Sequence, residues 1–115
     1  ISDLNNTNGV IAKNGDGDLN ITSSHLDNSN GLITSDESEL LITSKSLQNQ
    51  QTATSSEYAR GIYTKQLQLT ADSLINTSGV ISINAIAAAS YKNLIQLNEL
   101  NNTSGTIQLS QKVET

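Results

Sequence analysis

Leu26-Asp27-Asn28-Ser29-Asn30-Gly31-Leu32-Ile33 decides the reading of this chain, because close copies of it return along the whole length. Leu-x-Asn occurs at Leu4–Asn6, Leu26–Asn28, Leu47–Asn49, Leu74–Asn76 and Leu100–Asn102. Four of these copies continue as Ser/Thr-x-Gly, at Thr7–Gly9, Ser29–Gly31, Thr77–Gly79 and Thr103–Gly105. In the same four an Ile stands seven residues after the Leu: Ile11, Ile33, Ile81 and Ile107. A short alternating run precedes each following Leu, as in Leu19-Asn20-Ile21-Thr22 and Leu67-Gln68-Leu69-Thr70. Successive starts lie 22, 21, 27 and 26 residues apart. A period this short holds two or three strands and no helix pair, and a repeat of two within the runs marks strands. Asn8-Gly9, Asn30-Gly31, Ser78-Gly79 and Ser104-Gly105 read as tight turns that need φ > 0.

Two ways of pairing such strands compete. A hairpin would join neighbours about ten residues apart, and those have unlike sequences. Stacking whole repeats sets Leu on Leu, Ile on Ile and Asn on Asn, with strands ~4.8 Å apart. No coil can bury its aliphatic residues alone, whereas a stack buries a continuous column. The expected fold is therefore all-β, a right-handed parallel β-helix of about five coils of roughly 21–27 residues. Residues 1–115 form one segment of it, read as a fragment of a longer repeat shaft. The column Asn6, Asn28, Asn49, Asn76 and Asn102 is expected to form a ladder, each side chain bonding the matching one in the next coil and nearby backbone.

Composition agrees with a solenoid and excludes much else. Ile, Leu and Val total 29 of 115 residues, about a quarter and above the roughly 20% level that separates cores from disorder. Asn, Ser, Thr and Gln total 50, and there is no Phe, Trp, Met, Cys or Pro. A cysteine-free chain has no disulfide framework, thiolate metal site or Cys nucleophile. A net charge of −5 with six Lys and Arg argues against nucleic acid as a partner. The longest unbroken apolar run, Ala85–Ala89, is far shorter than the ~18 residues that span a bilayer as a helix.

The motif Leu-x-Asn-(Ser/Thr)-x-Gly, then Ile, then a Leu-x-Ile-type run, resembles the haemagglutinin repeats of filamentous-haemagglutinin-like exoproteins, the large two-partner-secretion proteins of Gram-negative bacteria. The likeness covers nearly all of residues 1–115. It departs at Gln50-Gln51-Thr52, where Ser/Thr-x-Gly is missing, and again over Asn84–Asn93. The resemblance implies a β-helical filament exported unfolded through an outer-membrane secretion transporter to the bacterial outer surface. It implies a structural shaft, in an adhesin or a contact-dependent growth-inhibition effector, that holds a distal module away from the cell. Adjacent coils of the same filament would be its neighbours, with no cofactor and no catalysis. The alternative is a segment that itself contacts a host or target-cell receptor or carbohydrate. A β-helix polysaccharide lyase or hydrolase ranks third.

Several residues invite chemistry. Ser, Asp and the single His25 raise a hydrolase triad, but no Gly-x-Ser-x-Gly elbow exists, and His25 beside Asp27 reads as a solvated turn residue. Asp16, Asp18, Asp36, Glu37 and Glu39 cluster between the Ile and Leu columns. Asn14-Gly15-Asp16-Gly17-Asp18 lacks the full calcium-loop register and reads as an acidic turn, so no metal is assigned. Asn5, Asn20, Asn76, Asn101 and Asn102 head Asn-x-Ser/Thr sequons, which a repeat built of these residues produces by composition alone. Thr22, Thr43 and Thr70 stand single-file, too narrow for an ice-binding face.

The long third and fourth repeats are the informative irregularity, because lengthened solenoid coils push loops out on one face. Tyr58, Tyr63 and Tyr91 all fall there, near Arg60, Lys65 and Lys92. Tyr with Arg is a composition of binding hot spots, and these six residues are the candidate binding set. Within Gln50–Arg60 the sequence is polar and is expected to loop out. Ile62 is then the displaced member of the Ile column, shifted by eight places.

Overall fold

A computed structural model describes residues 2–13, 17–50, 60–86 and 93–112 of the chain. It is a parallel β-solenoid with no helix among the described residues. Nine strands are described: β1 (Asp3–Asn5), β2 (Val10–Lys13), β3 (Leu19–Asp27), β4 (Leu32–Gln48), β5 (Gly61–Ile75), β6 (Val80–Ile86), β7 (Leu94–Gln96), β8 (Glu99–Asn101) and β9 (Thr106–Lys112). Every pairing is parallel and joins one coil to the next. Leu4 pairs with Leu26, Leu26 with Leu47, Leu47 with Leu74 and Leu74 with Leu100. The stacked body amounts to about three turns instead of the five expected coils. Five corners are present, but β1, β2, β7 and β8 at the ends are only three or four residues long.

Each coil has three faces. Face I holds β1, residues 25–27, 46–48 and 73–75, and β8; face II holds β2, residues 32–35 and 61–64, β6 and β9; face III holds residues 19–23, 39–44 and 66–71, and β7. β4 and β5 run through all three faces in turn. Their pairing lapses at Lys45 and Asp72, where face III bends into face I, and shifts between Ser35 and Glu39, where face II bends into face III.

Alternation along each face sends one set of side chains inward. Leu26, Leu47 and Leu74 are buried on face I, Ile33, Ile62 and Ile81 on face II, and Leu40, Ile42, Leu67 and Leu69 on face III. Ile62 is wholly buried and pairs with both Ile33 and Ile81, so the column re-forms after the insertion as the sequence suggested. Column members in the end coils are less covered. Leu4, Ile11 and Ile107 are half-buried, and Leu100 is 53% exposed because no described coil lies beyond it.

The four turns do use positive φ, as expected, and the glycine in each has a separate role. Positive φ falls on the residue before each turn glycine, at Asn8 (59°), Asn30 (53°), Ser78 (52°) and Ser104 (53°). Asn enters this left-handed region comparatively easily; Ser does so less often. The glycine is needed for space. A Cβ at Gly31 would overlap the backbone oxygen of Asn6 in the previous coil, and at Gly79 and Gly105 it would overlap those of Asn49 and Asn76. Gly61 is not a turn glycine: it pairs with Leu32 and so stands one place later in the coil.

Candidate functional site

The most fully built polar feature is the corner between faces I and II. There Asn6, Asn28, Asn49 and Asn76 are buried, the last three completely. Each Nδ2 donates to the Oδ1 of the next coil's asparagine: Asn6 to Asn28, Asn28 to Asn49 and Asn49 to Asn76 at 2.8 Å each, and Asn76 to Asn102 at 2.7 Å. The same Nδ2 groups also reach a carbonyl just beyond the corner of the next coil: Leu32 O (3.0 Å), Gly61 O (3.2 Å), Val80 O (2.9 Å) and Thr106 O (3.2 Å). Each interior amide therefore has both donors and its acceptor engaged, which a buried amide requires. The turn itself closes with Gly N–H to Asn O bonds of 2.9 to 3.0 Å at Gly9, Gly31, Gly79 and Gly105. Next to the ladder, the side-chain oxygens of Asn5, Asp27 and Asn101 accept the backbone N–H two residues on, fixing the entry to the corner.

The candidate binding residues are spread out. Arg60 is half-buried just before β5 at the face I–II corner, Tyr63 is half-buried on the outward side of face II between Thr34 and Ser82, and Lys65 is exposed at the face II–III corner. Tyr58, Tyr91 and Lys92 lie outside the described residues. The two long coils are also lengthened at different places. Asn49 and Ile62 are 13 residues apart where Asn28 and Ile33 are five apart, so the third coil is lengthened at the face I–II corner. Ile81 and Ile95 are 14 residues apart where Ile33 and Ile42 are nine apart, so the fourth is lengthened at the face II–III corner. The added residues therefore enter at opposite ends of face II.

His25 is on strand β3 and not in a turn. It stands in one outward column with Asp3 below and Ser46 above, and His25 Nδ1 lies 2.7 Å from Ser46 Oγ. The Ser–His contact joins residues 21 apart that carry no shared motif, so it was invisible in the sequence. No hydrogen bond links Asp3 to His25 among the described residues, and the pair lacks the orienting carboxylate of a triad.

The acidic arc is only partly described; Asp16 and the side chains of Asp36 and Glu37 lie outside it. Asp18 Oδ1 accepts the backbone N–H of Glu39 at 3.3 Å. Burial, with a smaller contribution from the Asp18 charge, raises the Glu39 carboxyl above its ordinary value. Among the described residues no group of three or more His, Asp or Glu could hold a metal ion. Of the sequon asparagines, Asn76 and Asn102 are ladder rungs, Asn5 and Asn101 hold turns, and Asn20 is exposed on face III. Thr22, Thr43 and Thr70 do stack in register and are exposed, with Gln96 next in line. Compared with models of known families, with curated proteins and with solved structures, the chain matches none.

Proposed function

We propose that this chain is a structural shaft segment of a secreted bacterial surface filament, holding a distal adhesive or toxic module away from the cell. The observation that carries the reading is the asparagine ladder, unbroken over all five corners despite an eight-residue insertion in one of them. An unbroken polar column inside a solenoid suits a load-bearing spacer. It does not by itself suit a catalyst, and the reading gives the chain no catalytic step. Adjacent coils are then its main partners, with an outer-membrane transporter serving export. Antibodies raised against the chain should label intact cells of the organism that makes it, and external protease should remove the label. Labelling only after permeabilisation would overturn the proposal.

A second reading, direct contact with a receptor or carbohydrate, draws on face II. Tyr63 stands on its outward side, with Arg60 and Lys65 at its two ends. Tyr63→Ala together with Lys65→Ala should abolish cell binding by the isolated chain while leaving its circular dichroism unchanged. A chain that never binds cells leaves the shaft reading alone.

A further inference from the structure

Face I holds a nucleophile and a base in mutual contact, within the stack and not at its ends. His25 stands on the second coil and Ser46 on the third, in an outward column that runs Asp3, His25, Ser46, Ser73 and Glu99. His25 is the single histidine of the chain, and its Nδ1 lies 2.7 Å from Ser46 Oγ. Parallel in-register pairing holds the two together, because direct ladder partners stay ~4.8 Å apart on fixed backbones. Alternation places Gln48 on the same outward side, two residues after Ser46. No described group bonds the Gln48 side-chain amide, which leaves its hydrogens free to donate. These three side chains, with Asp3, Asn5 and Asp27, line a shallow groove of about 270 Å³. Asp27 is committed elsewhere: its Oδ1 accepts from the Ser29 N–H at 2.9 Å and the Ser29 hydroxyl at 2.6 Å. Ser73, next in the column, has no imidazole beside it, so the contact singles out Ser46.

We infer that Ser46 is a nucleophilic serine that takes the acyl group of a small, neutral, activated ester, with His25 as its base and Gln48 as donor to the developing oxyanion. A serine hydroxyl is a weak nucleophile until a base within hydrogen-bond reach removes its proton. With the imidazole neutral and its hydrogen on Nε2, Nδ1 accepts the Ser46 O–H. Ser46 Oγ attacks the ester carbonyl carbon while its proton passes to Nδ1. The carbonyl oxygen becomes an oxyanion, and the Gln48 Nε2 hydrogens are the free donors at the groove to receive it. On collapse the bond to the leaving alcohol breaks, and that oxygen takes the proton back from Nδ1. The acyl group stays on Ser46. The carboxylates of Asp3 and Asp27 beside the groove disfavour an anionic ester. Because no carboxylate is bonded to His25, the step is slower than that of a triad and its product is the acyl-serine, one per chain. The inference stands on face I and is independent of the shaft reading.

The test treats the whole 115-residue chain with p-nitrophenyl acetate. A burst of p-nitrophenolate should accompany a single acetyl group, located on Ser46 by mass spectrometry of proteolytic fragments. Ser46→Ala should remove the burst. His25→Gln should slow acetylation of Ser46 about a hundredfold or more, and Gln48→Ala about tenfold or more. All three side chains face outward, so circular dichroism and the thermal midpoint should stay unchanged in each variant. Acetyl groups on His25 itself, or spread over Ser73, Thr43 and other outward hydroxyls, would overturn the inference. Acetylation of Ser46 at an unchanged rate in His25→Gln would overturn it as well, and an unchanged rate in Gln48→Ala would remove Gln48 from the site.

Discussion

The corners at Asn28 and Asn49 do the same work with different chain. At Asn28 the backbone closes in a tight turn, with Gly31 N–H bonded to Asn28 O and Asn30 in the left-handed region. At Asn49 the chain runs eight residues longer before re-entering at Gly61. Even so, Asn49 Nδ2 meets Asn76 Oδ1 and Val80 O at 2.8 and 2.9 Å, much as Asn28 meets Asn49 and Gly61. The side-chain column is thus the invariant of the corner, and the turn is one of several routes between the faces. The contrast with the face II–III corner is just as informative. There the spacing also changes from coil to coil, Ile62 and Leu69 being seven positions apart where Ile33 and Ile42 are nine apart, and no comparable ladder spans the described residues.

The sharpest way to break this comparison is to remove a rung from each corner. Asn28→Leu and Asn49→Leu should each cost about 2–6 kcal/mol, because each strands an amide N–H below and an amide oxygen above, at about 1–3 kcal/mol apiece. Chemical denaturation would measure it. A silent Asn49→Leu beside a costly Asn28→Leu would show that the turn, and not the column, holds the corner. Next in size is Gly31→Ala, expected to cost about 1–3 kcal/mol as an overpacking change. Gly9→Ala should cost less, since no carbonyl of another coil faces it. Equal costs at the two glycines would return the explanation to backbone conformation.

Deleting residues 52–56 from the long corner should shift stability by less than about 0.6 kcal/mol, the scale of a halved loop length. A larger loss would mean that the insertion supports the ladder. The smallest effect belongs to the other corner. The Glu39 carboxyl is raised above its unfolded value, so its neutral form is favoured in the fold. Its contribution is fully present below the unfolded pKa and is lost as pH rises through the folded one. Glu39→Gln should therefore raise the thermal midpoint slightly at neutral pH, with the gain vanishing in acid. An unchanged or lower midpoint at pH 7 would contradict the burial argument.

The columns were legible in the sequence because solenoid stacking sets like residues against like. Leu26, Ile33 and Asn28 announce their neighbours by repeating. Ile62 could be recovered through an insertion because it is the aliphatic residue at which the pattern resumes. The purpose of Gly31 was not legible: its constraint is the carbonyl of Asn6, one coil away, and a glycine in a turn suggests φ before it suggests contact. His25 with Ser46 was hidden for a related reason, since outward columns carry no repeating motif. Arg60, Tyr63 and Lys65 looked like one cluster in linear order. In space the strand carries them from one corner to the next, and nearness in sequence along a strand is distance across a face.

The ladder also has an electrical consequence. Its amide dipoles point in one sense along the axis, and three of its five rungs are wholly buried. Hydrogen bonds chained in a low-dielectric interior polarise one another, so each rung strengthens the next. The column therefore has one polarity, amide oxygens facing the earlier coil and amide hydrogens the later one, opposite in sense to the macrodipole of an α-helix. Losing a middle rung would split that dipole into two shorter ones as well as removing its own bonds. The loss from two substitutions in neighbouring coils should then fall short of the sum of their separate losses, because the second acts on a column already divided.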